Sequence, residues 1–264
     1  DRVVPESPLT VMMDADNGWE PPYIWGLWRQ HETVWSTLPA RRLPEGMFRA
    51  YLNVLLPGFT RTREQVEVAR ADMFPGYFAA TPAGPFDIVA TDADPARLAE
   101  CPVIVLLGGI TMDKALLGRL RDYVAAGGTL VVNVDQMLDH ARLRQDEDFL
   151  GARIGTTAGV SNRVVRTAPV PGVEAETHAG DWYSCPRVAP KSAEVLATNG
   201  NEPAQPVLLQ NRFGKGTVYL TTPDFMLSGL GGEPAAMPFF AEFLAGLASP
   251  APLRVDAERP VISW

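Results

Sequence analysis

The chain has 264 residues, 46% of them hydrophobic and 20% charged, with a formal net charge of -8. That supplies a core for one large α/β domain or two small ones. The acidic balance, with no Lys/Arg cluster, excludes a nucleic acid partner held by its phosphates. No apolar run nears the ~20 residues a membrane helix needs, so no membrane partner is expected.

LTVMM, residues 9 to 13, is an apolar run ending at Asp14 and predicts a buried first strand. Residues 14–85 read as a helical and loop excursion. Trp25, Trp28, Glu32 and Trp35 share one helical face, and Met47, Tyr51, Val54 and Leu55 mark a second helix before Pro57-Gly58. Regular order returns with the strand FDIVA at 86 to 90, after which Asp94 caps a short helix that carries Pro95 at its first position. PVIVLL at 102 to 107 predicts the next strand. Thr111 is placed to cap a helix striped by Leu116, Leu117, Leu120 and Val124 and stopped by Gly127-Gly128. TLVVNV at 129 to 134 is a further buried strand.

Beyond residue 150 the pattern turns to short β-prone pieces such as RVVRTA, then a hairpin at 207 to 222 around Gly214-Lys215, then the helix MPFFAEFLAGLA. Short apolar strands alternating with helices predict an α/β fold with a doubly wound, mostly parallel, flavodoxin-like sheet, flanking helices and a C-terminal β-hairpin. The expected division is one domain over 1–250, with 251–264 opening a following β segment cut short. The start at Asp1 and the alternating pattern that halts at Trp264 read as a piece of a larger parent.

FDIV, the strand ending LLGG, LRDYVAAGGTLVVN and GKGTVYLTTPD together resemble the class I glutamine amidotransferase-like fold over residues 86 to 138 and 207 to 245. In catalytic members of that family a strand ends in a nucleophile elbow, G-x-C-x-G, and the last hairpin ends in His-Pro-Glu. On this chain the cysteine position falls at Val134, and the elbow's other positions hold Asn133, Asp135 and Gln136. The His-Pro-Glu position falls on Thr222, Pro223 and Asp224. No catalytic residue is therefore expected. Domains stripped in this way are similar to the trimerisation domain of family 42 β-galactosidases. That resemblance implies a non-catalytic accessory domain of a glycoside hydrolase, partnered by the parent's other domains and by copies of itself in a homo-oligomer.

Two constellations support other classes. Asp14, Asp92, Asp135 and Asp224 each follow a predicted strand, and a parallel sheet gathers such ends at one rim. They could form the acid/base pair or cation site of a hydrolase or metal-dependent enzyme. The simpler reading is that each caps a helix or a turn. Trp19, Trp25, Trp28 and Trp35 crowd into NGWEPPYIWGLWRQHETVW, a composition suited to core packing, to an interface, or to stacking on an oligosaccharide as a carbohydrate-binding module does.

Metal and cofactor are expected to be none. His31, His140 and His178 lack ligand spacing and read as surface or turn histidines, and Cys101 and Cys185 form no C-x-x-C pair. No G-x-G-x-x-G occurs. The compartment is left unknown, since residues 1–20 carry no secretion signal pattern.

Overall fold

The computed structural model describes residues 7–15, 86–106, 108, 110–137, 146–223 and 236–248. Their strands form one nine-stranded sheet. Strands β1 (Leu9–Met13), β2 (Phe86–Ala90), β3 (Val103–Leu106) and β4 (Thr129–Asn133) belong to its parallel half. β5 (Ala152–Arg166), β6 (Thr177–Pro190), β7 (Glu194–Thr198) and β8 (Pro206–Phe213) extend it, and β9 (Gly216–Thr221) joins the two halves. The spatial order is β2-β1-β3-β4-β9-β8-β7-β5-β6. Pairings from β2 through β9 are parallel, while those from β9 through β6 are antiparallel.

The expected α/β class stands, but the sheet is mixed rather than mostly parallel. The antiparallel half holds the longest strands, β5 with 15 residues and β6 with 14, where short pieces were expected. Strand direction is set by long-range pairing, which local patterning does not encode.

The local signals in the parallel half correspond closely to its elements. Helix α1 (Pro95–Leu98) has Asp94 as its N-cap, the carboxylate accepting the Ala96 N–H at 2.8 Å, and Pro95 opens the helix. Helix α2 (Lys114–Ala126) ends on Gly127 at φ 128°. Its cap is Asp113 rather than Thr111: Asp113 Oδ1 accepts the Leu116 N–H at 2.7 Å. β4 stops at Asn133, and residues 134–137 turn at once into a helix.

The expected hairpin is β8–β9, in register from Leu208↔Thr221 to Phe213↔Gly216. Gly214 at φ 59° makes its turn, and a Cβ there would lie 2.6 Å from Ala125 Cα, so only glycine lets the hairpin tip meet the end of α2.

The two sheet faces bury separate cores. On one, Leu116, Leu117 and Leu120 of α2 pack with Ile104, Leu130, Val218 and Leu220. On the other lies α4 (Ala236–Leu247), whose Phe239, Phe240 and Phe243 are buried with Val131, Leu208 and Tyr219. Rings run edge to face across α4, from Tyr219 on β9 to Phe243 at 5.0 Å, on through Phe240 to Phe239, and to His178 on β6 at 5.5 Å. His178 is thus buried, against the surface position expected for it, and its Nε2 lies 3.1 Å from Glu242.

The short helix α3 (Glu147–Leu150) is tied to α2 by Arg121, whose guanidinium lies 4.7 Å from the Phe213 ring centre and donates to both Asp148 oxygens, at 3.2 and 2.8 Å. Hydrogen bonding from Arg121 holds the Asp148 carboxyl below the usual carboxylate range. A depressed carboxyl stabilises the fold above its unfolded pKa, and that contribution fades as pH falls through the folded value. With the Asp148 side chain 61% exposed, solvent screening keeps the effect small. Asp148→Asn is expected to cost less than about 1 kcal/mol at pH 7. In urea unfolding at pH 7 and pH 3, the gap from the parent should narrow towards acid. A gap that widens there would refute this account.

Candidate functional site

The carboxyl ends of the parallel strands share one rim, where open α/β sheets carry their ligands. Asp92 lies just past β2 and is exposed, Asp14 directly follows β1 and is buried, and Asp135 stands half-buried in the turn after β4. The sheet therefore gathers these three at one edge, in the spatial order Asp92, Asp14, Asp135. Asp224, Trp19, Trp25, Trp28 and Trp35 lie outside the described residues, as do His31, His140 and both segments 16–85 and 251–264.

Backbone and amides fill much of this rim. Asp14 Oδ2 accepts the Thr111 N–H at 2.6 Å, which closes the loop after β3 onto the end of β1. Asn133 Nδ2 donates to Thr221 Oγ1 at 3.0 Å and to the Pro223 carbonyl at 2.6 Å, while its Oδ1 accepts the Asp135 N–H at 3.0 Å. Gln136 Oε1 accepts the Asn133 N–H at 2.9 Å, and its Nε2 donates to the Gly108 carbonyl at 2.8 Å. Thr222 is buried and gives its hydroxyl to the Pro206 carbonyl at 2.8 Å. Asn133 and Gln136, read from sequence only as occupants of elbow positions, thus stitch β3, β4 and the end of β9 together.

Val134 is 0% exposed and starts the helical turn that follows β4, so its side chain does not reach solvent. The two thiols are buried elsewhere: Cys101 just before β3, at the opposite end of the sheet, and Cys185 on β6. Tyr123 seals that opposite end, donating its hydroxyl hydrogen towards the carbonyls of Cys101 at 2.9 Å and Thr129 at 3.1 Å, and burial pushes the phenol well up from its ordinary value. Among the described residues no three His, Cys, Asp or Glu side chains are grouped so as to hold a metal ion. None of the described helices is long and apolar enough to cross a membrane.

A second feature was missed in the sequence. Trp182 on β6 is 68% exposed and Val160 on β5 is 59% exposed. Each adjoins a member of the paired, buried Ser161 and Tyr183, so both point to the outer face of the β5–β6 ribbon. Between Ser161↔Tyr183 and Arg163↔Ala179 three residues of β6 oppose one of β5, a bulge that includes Trp182. The usable signal was the Trp-Tyr pair in a β-prone stretch.

A mixed α/β sheet with a helix on each face and an internally bonded rim defines the class. The family follows from comparison: the family model described as the β-galactosidase trimerisation domain matches residues 81–229, more than half of the chain. The chain belongs to that family. Among solved structures it is similar to the β-galactosidase of Bacillus circulans sp. alkalophilus, with TM-score 0.52 and 17% identity over 91% of this chain and 30% of that one. It is also similar to the cold-adapted β-galactosidase of Rahnella sp. R3, with TM-score 0.50 and 14% identity over 92% and 31%. These likenesses concern the fold, and the chain spans about a third of either enzyme's length. No curated protein sequence matches it.

Proposed function

We propose that this chain is a non-catalytic accessory domain of a larger carbohydrate-active enzyme, a glycoside hydrolase of the family 42 kind. In that parent it supports oligomerisation or shapes a neighbouring active site. Its partners are then the parent's other domains and further copies of itself. The observation that carries this reading is the family match, which runs from just before β2 to just past β9 and so spans both halves of the sheet. The buried Val134 and the amide-filled rim agree with it, because a sheet edge bonded to itself is a scaffold ready to be built upon. The parallel half, with strands ordered β2-β1-β3-β4, agrees with descent from an amidotransferase-like sheet that lost its nucleophile.

Sedimentation equilibrium of the 264-residue chain tests the reading. A mass three times 28.7 kDa is expected at micromolar concentration. A single-chain mass throughout the accessible range would overturn self-association as its role.

A further inference from the structure

The described residues contain three exposed large hydrophobic side chains, and they sit at the two ends of the sheet. Ile88, 49% exposed, is on β2, the terminal strand on the parallel side, while Val160 and Trp182 are on β5 and β6 at the other terminus. The two ends also differ in charge. Residues 86–100 carry Asp87, Asp92, Asp94 and Glu100 against the single Arg97. The strands β5 and β6 carry Arg153, Arg163, Arg166 and Arg187 against the single Asp181. Asp92, Asp94, Arg163 and Arg187 are all exposed. The turn joining the ribbon strands adds Glu174 and Glu176, and the carbonyls of Ala175 and Glu174 accept from the Arg166 guanidinium.

A ring with threefold closure needs two different patches on each copy, since a contact between identical patches closes a dimer instead. On the reading that the chain self-associates, we infer that the two ends of the sheet are the two halves of one heterologous interface. The β2 end of one copy, with Ile88 and the acidic residues of 86–100, docks on the β5–β6 end of the next, with Trp182 and Val160 and the arginines of those two strands. The occupant of each end is thus a second copy of this chain.

Charge complementarity sets the polarity, because β2 against β2 would oppose acid to acid and ribbon against ribbon arginine to arginine. Trp182 is the anchor, as an exposed indole beside a smaller apolar side chain is the usual centre of an interface, with charged residues left to the rim. The bulge in β6, together with Pro186 and Pro190, disfavours continuous strand addition along that edge, so the contact runs through side chains on the outer face. The anchors are the centre of a larger patch, a standard interface burying about 800 Å² per partner.

The test uses two variants of the 264-residue chain, Trp182→Asp and Ile88→Asp, followed by sedimentation velocity alone and mixed. Each variant alone has one ruined half in every contact, so association is expected to weaken at least ~30-fold and the chain to sediment as a monomer. Mixed in equal amounts, the intact β2 end of Trp182→Asp meets the intact ribbon of Ile88→Asp, and a 1:1 dimer is expected. Raising the salt should weaken the parent assembly. Circular dichroism checks folding. Should Trp182→Asp unfold, Val160→Asp on the same outer face replaces it, with the same outcomes required. If the parent is a trimer but either variant remains one, or if the mixture gives no dimer, the assignment of these two ends is wrong while the self-association reading stands. A monomeric parent removes both.

Discussion

Phe240→Ala should lower the stability of the chain by about 3–5 kcal/mol, the usual cost of emptying a phenylalanine site that the surroundings cannot refill. Phe240 is fully buried in the core under α4 and stands between Phe243 at 6.1 Å and Phe239 at 5.2 Å, both edge to face. Removing it breaks the row of rings linking Tyr219 on β9, where the two halves of the sheet join, to His178 on β6, in the antiparallel half. In a chain of this size a loss near 4 kcal/mol moves the melting temperature by roughly 10 °C. Phe240→Leu should recover most of it, since volume rather than any polar atom is at stake. Denaturant unfolding followed by near-ultraviolet circular dichroism reads both effects. A loss below about 1 kcal/mol would mean that α4 is not a structural tie between the halves.

That tie bears on how the domain works. α4 packs against β5 and β6, the strands that bear Trp182 and Val160. Gly172, at φ 71° in the turn that joins those strands, lies directly on α4, and a Cβ there would come 2.8 Å from Gly246 N. The helix therefore fixes the ribbon's position relative to the parallel half. On the proposed self-association through the two sheet ends, that rigidity would matter, because the angle between contacting ends decides whether copies close or run on as a filament.

The parallel half was legible because its signals are local. Asp94-Pro95 starts a helix, Gly127-Gly128 stops one, and an apolar run of four or five residues between such marks leaves little choice but a buried strand. The β5–β6 ribbon was not legible. Gly155, Gly159, Gly180 and Pro186 interrupt its composition, and register shifts at Ile154/Ala158 and Ser161/Arg163 break the two-residue alternation on which strand reading depends. Reading the sequence as short pieces followed from those breaks.

At the rim the same division holds. Strand ends placed Asp14, Asp92 and Asp135 on one edge, but the two bonds donated there by the Asn133 amide join residues 88 and 90 positions apart. No spacing rule reaches that far, so Thr221 and Pro223, the two acceptors of the Asn133 amide, emerged only with the fold, whereas Asp135 and Gln136 are its neighbours in sequence.

Those bonds make Asn133→Ala the second large effect. The side chain is fully buried and makes three hydrogen bonds, two donated from Nδ2 and one accepted at Oδ1 from the Asp135 N–H. Truncation leaves the buried Pro223 carbonyl without that donor, a loss of about 1–3 kcal/mol, and the half-buried Asp135 N–H without that acceptor, a smaller one since solvent can partly replace it. A total loss of about 3 kcal/mol is expected, with water entering the space recovering part of it.

Asn133→Asp separates the roles of the two ends of the amide. It keeps the acceptor for Asp135 but removes both donors, and it places a carboxylate against the Pro223 carbonyl in a site sealed from water. It should therefore cost at least as much as alanine near neutral pH, where the carboxylate is charged, and less in acid, where a protonated carboxyl can donate again. Urea unfolding of both variants at pH 7 and pH 4 decides the matter. If Asn133→Asp is as stable as the parent at pH 7, the donor side of this amide does not hold the rim together, and the order of the strand ends must come from packing alone.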